Sequence, residues 1–257
     1  LKEVLDNMLE IKNLDVSVED KQIIKNLNLK IGPGEVHAIM GPNGSGKSTI
    51  AHTLAGKPNY LVESGNVEFK NEDLIAKDPY ERSLLGLFLA FQYPIELPGV
   101  TNASYLKQIL NAHRKSRGEN PIDAGEFLKI LKEKSKNLNI PMDMHSRFVN
   151  AGFSGGEKKK NEVLQMDLLD PSLIIMDETD SGLDVDALKS TSEAVNKLRD
   201  GKRSFLIITH YLRLLEYIEP DHVHVFSDGS IIESGDKSLA SRIDNEGYEV
   251  KWSQLVL

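Results

Sequence analysis

The sequence of 257 residues contains no cysteine. That excludes disulfides, a thiolate nucleophile and any zinc site or iron–sulfur cluster ligated by the chain's own sulfur, and it fits a reducing compartment such as the cytoplasm. A long apolar run is also missing. The longest, Leu84 to Phe91, falls far short of the roughly 20 residues of a membrane-spanning helix and reads as one buried element of a soluble protein. The opening LKEVLDN carries no secretory pattern and is acidic where a transit peptide is Arg-rich and acid-poor, with Met8 as an alternative start. Nor is there an excess of positive charge: 31 basic and 39 acidic residues leave a net charge of -8. No sequence-wide electrostatic footprint therefore points to nucleic acid or an anionic membrane surface as the main partner. Internal repeats and low-complexity segments are absent.

What is present suffices for one sizeable domain, or a core domain with an inserted lobe. Met8 to Lys30 alternates in short stretches such as Leu9-Glu10-Ile11 and predicts an antiparallel opening that ends in the turn Gly32-Pro33-Gly34. Val36 to Met40 predicts a compact strand running into Gly41, and Ser48 to Ala55 a helix. From Gln92 to Asn150 the texture turns rich in Lys, Asn and Glu, with helical periodicity in Ala103 to Ala112 and Gly125 to Leu138. Strand Leu173 to Met176, helix Val185 to Leu198 and strand Phe205 to Thr209 then give a βαβ rhythm and a parallel sheet. The expected organisation is a catalytic α/β core over 8–91 and 161–257, with a helical insertion over 92–160.

Between the strand at Val36 and the helix at Ser48 lies GPNGSGKST, a glycine-rich phosphate loop of Gly41, Pro42, Asn43, Gly44, Ser45, Gly46, Lys47, Ser48 and Thr49. Its glycines let backbone N–H groups turn inward around a β-phosphate, and the following helix N-terminus adds favourable partial charge. Lys47 supplies a point charge to the β- and γ-phosphates. Ser48 is suited to Mg2+ and Thr49 to phosphate.

Asp177-Glu178 follows the apolar run Leu173 to Met176, which places two carboxylates at the carboxyl end of a buried strand, where open α/β sheets bind ligands. Asp177 is expected to hold Mg2+ through water, and Glu178 to orient or deprotonate the water that attacks the γ-phosphate. Ser154-Gly155-Gly156-Glu157 has the spacing of a helix capping box. Lys158, Lys159 and Lys160 follow in the first turn, where the helix dipole disfavours cations; contact with an anion and a solvated charged face both remain open.

Together these motifs resemble the nucleotide-binding domain of the ATP-binding cassette (ABC) family over nearly the whole chain from about Met8. The resemblance implies an α/β fold, with a mixed core sheet, an antiparallel β subdomain and an inserted helical subdomain, and a Mg2+-dependent ATPase. It further implies that Gln92 is the glutamine contacting Mg2+ or the attacking water, that Ser154 to Glu157 form the family's signature, and that Ser181-Gly182-Leu183-Asp184 form its D-loop. His210 takes the place of the histidine that contacts the γ-phosphate and positions Glu178. Gly182 stands where the family commonly has Ala, and Val18-Glu19 where it often has an aromatic that stacks on adenine. In this family the signature of one domain closes over the phosphate loop of another; one copy of each here implies an ATP-dependent head-to-tail homodimer.

Within the family, Phe91 to Val100, Asp180 to Lys189 and Thr209-His210-Tyr211 are most similar to the Suf-type ATPases of iron–sulfur cluster assembly. That resemblance implies partners of the SufB/SufD scaffold type and a location in the cytoplasm or a plastid stroma. Tyr93, Ile95, Leu97 and Val100 put apolar side chains between prolines, as a partner surface or a covered loop. The same motifs also suit the ATPase subunit of a membrane transporter, or an assembly module gated by nucleotide with little turnover.

Overall fold

The computed structural model describes residues 7–248. The acidic opening thus lies outside the described residues apart from Asn7, as does the end of the expected core segment. Along the chain run β1 (Leu9–Val18), β2 (Lys21–Ile31), β3 (Val36–Met40), α1 (Lys47–Leu54), β4 (Tyr60–Phe69), β5 (Glu72–Asp73), α2 (Pro79–Leu85) and β6 (Leu87–Ala90). Then follow β7 (Leu97–Thr101), α3 (Asn102–Ser116), α4 (Ala124–Asn137), a short 3-10 helix over Met142–Ser146, β8 (Phe148–Val149) and α5 (Gly155–Leu169). The last elements are β9 (Leu173–Asp177), α6 (Val185–Leu198), β10 (Ser204–Ile208), α7 (Leu212–Tyr217), β11 (His222–Ser227), β12 (Ser230–Gly235) and α8 (Lys237–Glu246).

These elements fall into two compact units, one formed by the described residues up to 89, 172–178 and those from 199 onward, the other by 90–171 and 179–198. The division differs from the expected boundaries, because α5 beyond residue 160 and the whole of α6 group with the inserted segment.

In the first unit a six-stranded sheet has the order β12-β11-β3-β10-β9-β6, and a four-stranded antiparallel sheet the order β2-β1-β4-β5. The central strands β3, β9 and β10 are buried at every position. Their near-continuous apolar sequence is the mark of strands covered on both faces, and β10 pairs in parallel with β3 and β9. Leu9, Leu27, Ile39, Ile50, Phe69, Leu206 and Phe226 share its core. The β1–β2 connection places Glu19 and Asp20 at φ 50° and 61°, so Val18-Glu19 sits in a tight two-residue hairpin.

The run Leu84 to Phe91 is not one buried element. Gly86 closes α2 in a left-handed conformation (φ 109°), β6 begins at Leu87, and Phe91 emerges half-exposed. Hydropathy alone does not register a break at a glycine.

The second unit packs Leu106, Phe127, Leu131, Met144, Phe153 and Leu164 into its own core. Through that core runs a chain of amides. Asn102 donates to Asn161 (2.9 Å), Asn161 to Asn150 (3.1 Å), and Asn150 to the carbonyl of Ile95 (2.8 Å). A buried polar network satisfied at each member fixes α3, α5 and the segment before β7 in one arrangement.

Candidate nucleotide site

The carboxyl ends of β3 and β9 and the loop after β10 carry the candidate residues of the first unit. Strand β3 delivers the chain into the loop at Gly41, and α1 starts after Gly46, whose φ of 103° and whose missing Cβ, which would lie 2.9 Å from Ile23, both demand glycine. Lys47 is almost fully buried, and its ammonium donates to the carbonyls of Gly41 (2.8 Å) and Pro42 (2.9 Å). Burial pulls its pKa below the ordinary lysine value, partly countered by Glu178 and Asp177. A buried cation that donates to two backbone carbonyls, with the Glu178 carboxylate 4.0 Å away, is suited to receive anionic oxygens. Ser45 Oγ is buried without a hydrogen-bond partner among the described residues, a polar atom of the same loop open to a phosphate oxygen.

Ser48 donates its hydroxyl to Asp177 Oδ1 at 2.9 Å, so the parallel sheet brings together two oxygens that lie 129 positions apart in sequence. A hydroxyl and a carboxylate converging beside a phosphate loop are the hard oxygen donors that Mg2+ takes. Glu178 sits one residue beyond β9 in the left-handed region (φ 45°), held by a bond from its own N–H to the carbonyl of Ile208 (2.8 Å). This conformation is strained for a non-glycine residue. It leaves the carboxylate 3.4 Å from His210 Nδ1. The His210 ring lies 3.8 Å from that of Tyr211, whose N–H bonds to Thr209 Oγ1.

In the second unit, both bonds of the Ser154 and Glu157 capping box form: Ser154 N–H to Glu157 (2.7 Å) and Glu157 N–H to Ser154 Oγ (3.2 Å). The capped helix end opens on a cavity of about 660 Å³, lined by Ser154 to Glu157, Lys160 and Asp184 among others. Asp184 also caps α6 through the N–H of Ala187 (2.8 Å), and Gly182 takes φ 73°, a conformation that an alanine there would resist. Gln92 falls in this unit too, just after β6.

The three lysines separate. Lys160 lines the cavity, while Lys158 pairs with Glu96 at 2.8 Å. Lys159 is buried, pairs with Glu162 (2.9 Å) and donates to the carbonyl of Phe91, whose N–H binds Glu162 in turn (2.9 Å). Neither a solvated face nor a ligand contact describes Lys159. The i, i+3 spacing of Lys159 and Glu162 was its only trace in the sequence.

With this geometry in place, the family described as ABC transporter matches residues 24–181. The chain belongs to the ABC transporter family. It is 56% identical over 241 residues to the "Probable ATP-dependent transporter SufC" of Escherichia coli (strain K12), covering 94% of this chain and 97% of that one. A ycf16 protein of Cyanophora paradoxa, also named a transporter, is 52% identical over 245 residues, covering 94% and 93%. Among solved structures, the ADP conformation of the cassette MJ1267 superposes with a TM-score of 0.75 at 26% identity, covering 94% of this chain and 96% of that one. The dimeric MJ0796 cassette bound to ADP and Pi superposes at 0.76 with 21% identity, covering 90% and 99%. The protein is an ABC ATPase with an α/β nucleotide-binding fold, and its cofactors are ATP and Mg2+. Among the described residues no helix is long and apolar enough to cross a membrane.

Proposed function

We propose that this ABC ATPase is the ATP-hydrolysing subunit of a Suf-type iron–sulfur cluster assembly machine, dimerising on ATP to drive a conformational change in a SufB/SufD-type scaffold in the cytoplasm. The observation that carries this reading is the 56% identity to SufC along nearly both whole chains. With no cysteine here, the thiolates for a cluster belong to partners.

Lys47 and the loop N–H groups hold the β- and γ-phosphates, Ser48 and Asp177 are the residues of the first unit that would hold Mg2+, and Gln92 keeps the role that the family resemblance implies for it. When bound, the ion neutralises phosphate charge. Glu178 accepts a proton from water as the water oxygen attacks the γ-phosphorus and the bond to the β,γ-bridging oxygen breaks. His210 positions Glu178 and reaches the γ-phosphate. Ser154, Gly155, Gly156 and Glu157, with Asp184, would complete this site on a second copy, in keeping with the cavity at their helix end. Replacing Lys47 by Ala removes the charged donor, and ATP affinity falls by about 10- to 100-fold in an equilibrium titration. Wild-type affinity would remove Lys47 from the site.

A partner face is offered by Tyr93 (71% exposed), Ile95 (60%), Val100 (40%) and Phe148 (46%), apolar groups gathered around β7 and β8. A surface of this kind suits docking better than solvent. Affinity capture of the tagged chain followed by mass spectrometry is expected to recover soluble scaffold proteins. Ile95→Asp then weakens their binding about 30-fold, the effect of losing one central anchor. Capture of an integral membrane permease instead would replace this reading with that of a transporter subunit.

A further inference from the structure

Away from the phosphate loop, at the opposite ends of its strands, the first unit gathers Glu35, His37, His222 and His224. We propose that Glu35, His37 and His222 form a binding site for one divalent first-row transition metal ion, of which Zn2+ is the probe. Each offers a ligand atom, and these atoms all lie within 4.8 Å of one another. Two imidazoles and a carboxylate make up a donor set that borderline cations take and Mg2+ does not favour.

The placement follows from the sheet. Glu35 and His37 stand two residues apart at the start of β3, and the parallel register with β11 sets His222 directly opposite His37. Their rings lie 4.6 Å apart, centroid to centroid. Glu35 is oriented by the N–H of Gly32, which donates to its Oε2 at 2.6 Å. Asp221, the other carboxylate nearby, is engaged by the N–H of Val36 (2.8 Å).

Behind the ligands lies a relay that fits metal binding. His37 Nδ1 meets His224 Nε2 at 2.9 Å, and His224 Nδ1 meets Ser234 Oγ at 2.8 Å. Read in one direction, His37 Nδ1–H donates to His224, and His224 Nδ1–H donates to the Ser234 hydroxyl. That assignment leaves His37 Nε2 with a lone pair, aimed at the 2.8 Å contact with Glu35. A ligating histidine whose other nitrogen is pinned by a buried acceptor has its tautomer and ring plane fixed in advance. Without a cation the chain can run the other way, from the Ser234 hydroxyl through His224 and His37 to Glu35; a cation on His37 Nε2 selects the direction that ends on Ser234. The ion would tie the leading ends of β3 and β11 together, opposite the end that feeds Gly41.

The test uses the full chain, stripped with chelator and kept free of nucleotide in excess Mg2+, which occupies the oxygen donors of Ser48 and Asp177. Titration with Zn2+ is expected to show one ion per chain and a higher Tm. Co2+ should give visible d–d bands without a sulfur-to-metal band. His222→Asn, at an exposed position that leaves the fold intact, should lose this ion, and Glu35→Gln likewise. His224→Gln should weaken binding by about 10- to 100-fold through the relay alone. ATP turnover of His222→Asn reports that the variant is folded. Zn2+ binding that is unchanged in both His222→Asn and Glu35→Gln, or no stoichiometric Zn2+ in the wild type, would overturn the site.

Discussion

Glu178→Gln is expected to lower steady-state phosphate release by about 10²- to 10⁴-fold, the range over which a positioned general base acts. The replacement keeps the size of the side chain and the polar contact to His210, 3.4 Å away, but cannot accept a proton. ATP binding should survive. Removing a negative charge that lies 4.0 Å from Lys47, beside the place of the triphosphate, weakens no attraction for an anion and relieves one repulsion. Uncleaved ATP then holds the closed dimer, so light scattering after gel filtration should show a dimer that the wild type forms only in passing. Turnover equal to the wild type's would remove Glu178 as the base. A large loss of ATP affinity would instead make it a binding residue, a role its distance from the ammonium does not favour.

The elements that carry this chemistry were legible for a physical reason. Strands β3 and β9 are near-continuous apolar runs that end in Gly41 and in Asp177-Glu178, and β10 is the apolar run just before Thr209-His210, so burial and function are written into adjacent letters. The limits of α6 were equally plain, since its apolar positions keep helical spacing from Val185 to Leu198. Local signals lose their force where partners are remote. The pairing of β7 with β8 joins Leu97 to Val149, and neither segment alternates strongly. The grouping of α5 and α6 with the second unit depends on which core each helix covers, which periodicity does not state. Glu35 and His222 lie on strands far apart in sequence, and only the register of two parallel strands sets them together. The separation of Lys158, Lys159 and Lys160 into three environments is of the same kind, because a run of identical letters hides the 100° turn per residue that sends each to a different neighbour.

Of the three, Lys159 carries the largest structural consequence. Lys159→Met is expected to destabilise the fold by about 3–5 kcal/mol at neutral pH, since it strands Glu162 in a buried position with only the N–H of Phe91 as partner. Burial already raises the pKa of Glu162, and Lys159 is the strongest influence holding it back. Without that influence the folded-state pKa climbs further above the unfolded value of about 4.3. The sign follows directly. A carboxyl whose pKa is raised on folding binds more protons in the folded state, so the variant loses stability as pH rises above about 4.3 and regains it as pH falls. Urea unfolding followed by circular dichroism should therefore give a larger deficit at pH 7.5 than at pH 5. Adding Glu162→Gln should recover part of the deficit and flatten its pH dependence, while leaving the carbonyl of Phe91 without its ammonium donor. A deficit of the same size at both pH values would mean that Lys159 contributes through packing of its aliphatic stem, and that no uncompensated charge is left behind when it is removed.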